Sequence, residues 1–182
     1  MEAEVTHKTI AVSILLLIGC GVAQASAKGG FERVSCNADI AKALIGRRAA
    51  NERIVVIEAR HKDLGLKDLG SNESSGNLTT IAWMICGKEF ILLEHNGDPR
   101  TIFDAVEVPT PSTDDVFIGP CELKGKEMRD NVVAVLRWPA GSNPLKLRQP
   151  ENQKVPAIAA WRIDEAARKF VKMSADGLLC RT

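Results

Sequence analysis

Apolar positions along this chain fall into short blocks, most with the two-residue period of strands, punctuated by Gly, Pro, Asn and Asp. The clearest block is Leu78 to Glu94 (LTTIAWMICGKEFILLE), two β-rich runs flanking Cys86-Gly87-Lys88, which predicts a hairpin whose second strand is largely buried except at its end, where Glu94 is expected to be exposed. His95-Asn96-Gly97-Asp98 then supplies a tight turn, and Arg100 to Val108 the next strand. Upstream, Asn37-Ala38-Asp39 offers an N-cap for a short helix through Ile40, Ala41, Leu44 and Ile45, closed by Gly46. Ile54 to Ile57 is a β-branched run that favours a strand, with a helix between Glu52 and Leu64 as the alternative. Residues 61 to 76 repeat Lys-Asp-Leu-Gly with a period fitting neither element and continue into SNESSG, so they read as a loop.

In the second half, Val116 to Ile118 is a short apolar run and KGKEMRD a charged turn. Asn131 to Trp138 (NVVAVLRW) is a strand, and Pro139 to Pro156 a long proline-rich surface loop, with a partner-binding segment as the alternative. Ile158 to Met173 alternates into and out of a charged DEAARK turn, which predicts a closing hairpin, with a helical turn over Glu165 to Val171 as the alternative. Leu178-Leu179-Cys180 returns the chain to the core. The expected fold is α+β, mostly antiparallel β, with a short N-terminal helix packed on a disulfide-stapled antiparallel sheet.

The first residues change this picture by placing it in a compartment. Ile10 to Gly19 (IAVSILLLIG) follows a polar stretch holding Lys8 and precedes GVAQASA, where Ala25 and Ala27 suit an A-x-A cleavage site. Residues 1–27 therefore read as a signal peptide and 28–182 as a single exported globular domain, periplasmic or secreted. Leu17-Ile18-Gly19-Cys20 resembles the lipobox of bacterial lipoproteins, which makes lipidation of Cys20 and membrane anchoring the alternative. No integral membrane span is expected in the mature form, because the apolar run is broken by Gly and polar residues before it reaches spanning length.

Removing the leader leaves Cys36, Cys86, Cys121 and Cys180, an even set that implies two disulfides in an exported chain. Because domain termini commonly lie close together, the expected pairing is Cys36 with Cys180 and Cys86 with Cys121. Their spacing matches no redox or zinc pattern, and neither a metal nor a cofactor is expected.

The 182 residues carry 24 Lys+Arg against 23 Asp+Glu, a formal charge of +1, which argues against nucleic acid as a partner. Hydrolase, P-loop and dinucleotide motifs are absent from the sequence. Glu58-Ala59-Arg60-His61 gathers groups suited to acid/base chemistry, with Glu58 and His61 the candidates, but on a strand these two would face apart. Trp83, Trp138 and Trp161 suit a core. Were Trp138 and Trp161 exposed together, Arg137 and Arg162 beside them would complete a cationic-aromatic recognition surface. The resulting expectation is an exported, non-enzymatic binding or inhibitor-type module acting on an envelope protein or small ligand. A cell-envelope hydrolase is the alternative.

Overall fold

The Lys42 N–H donates to Asp39 Oδ1 (3.1 Å), so the cap foreseen in the sequence starts α1 (Ile40–Leu44), and Gly46, with φ +77°, lies just past its end. The computed structural model of the chain describes residues 30–48, 53–73, 76–97, 100–109, 115–118, 121–128, 132–137 and 153–181. Within them the protein is mostly antiparallel β, with two small helices and two disulfides.

After α1 comes α2 (Ile54–Arg60), where a strand was expected. Tertiary packing overrides the β-branched propensity here. The helical period turns Ile57 into a core shared with Leu64 and Leu66, while Val55, 64% exposed, faces out. A short 3-10 turn (Lys62–Leu64) leads into β1 (Lys67–Glu73), in the region that reads as loop. Its few apolar residues hide it, because this edge strand is held by its backbone rather than by a buried face. It pairs with the next strand from Lys67 opposite Met84 to Glu73 opposite Thr79, and the register shifts between Asp68 and Gly70. There the Gly70 N–H donates to Asp68 Oδ1 (2.8 Å), as in a bulge that turns an edge away from further pairing.

The expected hairpin forms from β2 (Leu78–Ile85) and β3 (Lys88–His95), and β4 (Ile102–Glu107) completes a four-stranded sheet in chain order. Its turn, Cys86-Gly87, has φ of +54° and +73°, the two positive values that a two-residue hairpin of primed type requires. Both faces of this sheet are covered, which explains the unbroken apolar run of β3. Trp83, Ile85, Phe90 and Leu92 point to α1, α2 and Phe31, whereas Ile91 and Leu93 point to the second sheet.

The second sheet comprises β5 (Asp115–Ile118), β6 (Cys121–Leu123), β7 (Lys126–Met128), β8 (Val132–Leu136), β9 (Lys154–Asp164), β10 (Lys169–Met173) and β11 (Leu178–Arg181). Its order is β5-β8-β9-β11-β6-β7, with β10 also paired to β9. The Lys126-Glu127-Met128 part of the charged turn is thus a strand, and so are the last three residues of the expected proline-rich loop, Lys154 to Pro156, which begin β9. The β9–β10 hairpin forms as expected, and the helical alternative does not. Val133, Val135, Trp161 and Ile163 pack against the first sheet. On the opposite face, Val132, Ala134, Leu136, Val155, Leu178, Cys121 and Cys180 form a separate core. Asp104 links the two sheets directly: the Phe170 N–H of β10 donates to its Oδ2 (2.8 Å), and the Arg168 guanidinium lies 4.6 Å over the Phe103 ring.

The disulfides join Cys36 to Cys86 and Cys121 to Cys180, which corrects the expected pairing. Cys36 and Cys180 do not pair, because Cys36 belongs to the helical layer over the first sheet and Cys180 to the second sheet. Each bridge closes one half of the fold: Cys36–Cys86 ties the start of α1 to the hairpin turn, and Cys121–Cys180 joins directly opposed residues of β6 and β11.

Candidate functional site

The cleft of interest opens on the second sheet and follows from strand register. Lys124-Gly125 is a two-residue turn with φ of +51° and +79°, so Glu122 of β6 lies directly opposite Glu127 of β7. Leu179 of β11 faces Glu122 on one side and Pro156 of β9 on the other, placing Pro156, Leu179, Glu122 and Glu127 in one row across four strands. Two residues along, Lys154 of β9 lies opposite Arg181 of β11. Side chains alternate along a strand, so all six share one face, while the intervening Cys121, Cys180 and Val155 point to the opposite core.

Between these rows is a cleft of about 220 Å³ lined by Cys121, Glu122, Gly125, Glu127, Lys154, Leu179 and Arg181. Two carboxylates adjoin each other and two cations adjoin each other, arrangements that weaken a sheet. Lys154 Nζ crosses to Glu122 Oε1 at 2.7 Å, cancelling one charge of each sign. Both side chains are partly exposed, so the pair adds little to stability, on the order of 0–1 kcal/mol. Neither Glu127 nor Arg181 has a side-chain partner among the described residues. Among the described residues the cleft therefore presents one uncompensated cation, Arg181, and one uncompensated carboxylate, Glu127, with Leu179 two residues from Arg181 on the same strand and Glu122 on the strand between.

A second polar feature is internal. Glu94, 2% exposed, shares the helix-side face of β3 with Phe90 and Leu92, opposite Thr79 on β2 and Ile102 on β4. Burial raises its carboxyl from 4.5 to about 7, opposed in part by the Arg100 cation. Thr79 Oγ1, across from it, is buried with no hydrogen-bond partner in the structure. Arg47 is also buried and donates to the backbone carbonyls of Ala43 and Glu32.

The residues singled out in the sequence lie elsewhere. Glu58 and His61 are three residues apart on and just past α2, closer to one side than a strand would place them. Glu58 Oε1, however, accepts the Asp68 N–H (2.8 Å) and so fastens α2 to β1, while the His61 ring meets Phe31 edge-on at 5.9 Å. Trp161 is 7% exposed within the core between the sheets, on the face of β9 opposite Ala160 of the other core. Arg137 and Arg162 are exposed. Trp138 and Cys20 lie outside the described residues. The cleft residues escaped sequence reading because Glu122, Lys154 and Arg181 are far apart in the chain. One local signal did exist: a hairpin centred on Lys124-Gly125 would by itself have placed Glu122 beside Glu127.

Among the described residues no helix is long and apolar enough to cross a membrane. Comparison of the chain with protein-family models, curated proteins and solved structures finds no match.

Proposed function

We propose that this chain is an exported, non-enzymatic binding or inhibitor-type module whose recognition site is the cleft formed by β9, β11, β6 and β7. The observation that carries the reading is the charge arrangement. Like charges stand directly opposed in two neighbouring pairs, a cost to the sheet that one internal ion pair only half relieves, and the two residual charges line a concavity. Two disulfides support a folding environment outside the reducing cytosol. Acid/base catalysis by Glu58 and His61 has less support, because the Glu58 carboxylate is engaged in holding β1.

The test is amide chemical-shift mapping on the disulfide-intact protein with a panel of small charged ligands, bearing ammonium, carboxylate or both. Shifts confined to residues 121–128, 154–156 and 178–181 are the expected result. Uniformly unperturbed cleft resonances across the panel, or shifts centred on Glu58 and His61, would remove the proposal.

A further inference from the structure

We infer that the outward side of the helical layer is a docking surface for an anionic lipid bilayer. The layer lies outermost, with the first sheet between it and the second. A helix in that position should present a polar face to water. α2 does not: Ile57 turns inward, and the opposite side at helical spacing consists of Val55, Val56 and Ala59, all exposed. Single exposed apolar side chains are ordinary, but these are not scattered. Of the six large apolar residues exposed among the described residues, Ile45, Ile54, Val55 and Val56 belong to this layer, and Leu69 follows Asp68, whose amide is held by Glu58 of α2. The sixth, Val171, lies on the second sheet.

Charge and chain path select the partner. From Gly30 to the start of β1 at Lys67 the chain holds eight Lys and Arg against five Asp and Glu, whereas residues 68–182 hold 14 against 16, so the positive excess belongs to the segment that builds the helical layer. Arg53 and Arg60 stand on either side of Val56 at helical spacing. Lys42, Arg48, Arg53 and Lys62 are exposed and in no ion pair among the described residues. Of the acids, Asp39 caps α1 and Glu58 holds β1. Apolar side chains fringed by bases match an anionic bilayer, whose acyl boundary receives the first and whose headgroups receive the second. A second copy seated on the same face would instead set base against base. The chain also enters the fold here: the Gly30 N–H donates to the Arg48 carbonyl (2.7 Å), and Phe31 meets His61 just past α2. The ten residues from Cys20 to Gly30 reach at most about 35 Å, so Ile10 to Gly19 in a bilayer, or a lipid on Cys20, would keep this side of the domain at the membrane surface.

The experiment is sedimentation with vesicles, using the disulfide-intact mature chain expected to begin at Lys28, which lacks the apolar leader and contains every described element. Vesicles of phosphatidylglycerol and phosphatidylcholine in equal parts should carry the protein down, and phosphatidylcholine alone should not. Binding should fall at about 1 M salt, where screening shortens the reach of charge to ~3 Å. Arg48→Gln and Arg53→Gln should each weaken partition about five-fold, the loss of one basic contact at a charged surface, and Val55→Ser about ten-fold through lost apolar burial. Val171→Ser, on the second sheet, should bind as the wild type does. All four side chains are exposed, and thermal midpoints equal to the parent's will verify that the variants fold. Equal partition onto both vesicle types, no partition onto either, or layer variants indistinguishable from Val171→Ser would overturn the inference. So would a dimer that Val55→Ser dissociates in a protein that ignores vesicles, since the face would then belong to a second copy. None of these outcomes depends on the cleft, whose own test stands separately.

Discussion

Replacing Glu94 by Gln should abolish a pH dependence of stability that runs opposite to that of most carboxylates. The side chain is 2% exposed between Thr79 and Ile102, and burial raises its pKa from 4.5 to about 7 against the pull of Arg100. The folded state therefore binds this proton more tightly than the unfolded chain. Between pH 4.5 and about 7 the folded protein retains a proton that the unfolded chain has released, so this group's contribution to stability falls as pH rises through that window and levels off above it. At ~1.4 kcal/mol per pH unit the full interval amounts to roughly 3 kcal/mol. Gln is uncharged throughout, so Glu94→Gln should match the wild type near pH 4.5 and exceed its stability by up to roughly 3 kcal/mol at pH 8. Urea unfolding with disulfides intact, followed by tryptophan fluorescence at half-unit pH steps, measures the difference. Trp83 is a suitable reporter, since it belongs to the core onto which this face of β3 packs. Other titrating groups are common to both proteins and cancel. Parallel stability curves for the two proteins across the window would refute the reasoning, because they would mean that Glu94 is ionised as easily in the fold as in water.

Thr79→Val should stabilise the protein by about 1 kcal/mol in the same assay, since a buried hydroxyl without a partner gives way to a methyl of similar shape. Trp161→Ala should cost about 3–5 kcal/mol, as expected for a large side chain removed from the core between the sheets, and a loss below about 1 kcal/mol would contradict that placement. Peptide mapping without reduction should recover Cys36 linked to Cys86 and Cys121 linked to Cys180. Removing the second bridge, with its separation of 59 residues, should destabilise by about 4 kcal/mol on the loop-entropy estimate. Asp104→Ala should cost about 1–2 kcal/mol by freeing the Phe170 amide that joins β10 to β4, measurable as faster hydrogen exchange at that amide.

Sequence by itself determined whatever depends on neighbours along the chain. Asp39 and Gly46 delimit α1, Cys86-Gly87 sets the β2–β3 turn, and the alternation around DEAARK makes the β9–β10 hairpin, because a cap or a two-residue turn is satisfied within a few residues. The continuous apolar run of β3 likewise announced a largely buried strand, but its charged end, expected in solvent, is not there: Glu94 is 2% exposed because it continues the face of Phe90 and Leu92. Tertiary structure decided the rest. Ile54 to Ile57 became a helix because Ile57 gains a core with Leu64 and Leu66 that no local preference encodes. β1 exists because the polar segment beside β2 supplies backbone pairing, an interaction indifferent to side-chain hydropathy. The disulfide partners were chosen by which layer each cysteine entered, not by distance from the termini. The cleft is the extreme case: Glu122, Lys154 and Arg181 meet only through the register of β9, β11 and β6. Register between strands distant in sequence is set by the packing of both faces at once, so no stretch of the chain read alone could have placed those charges side by side.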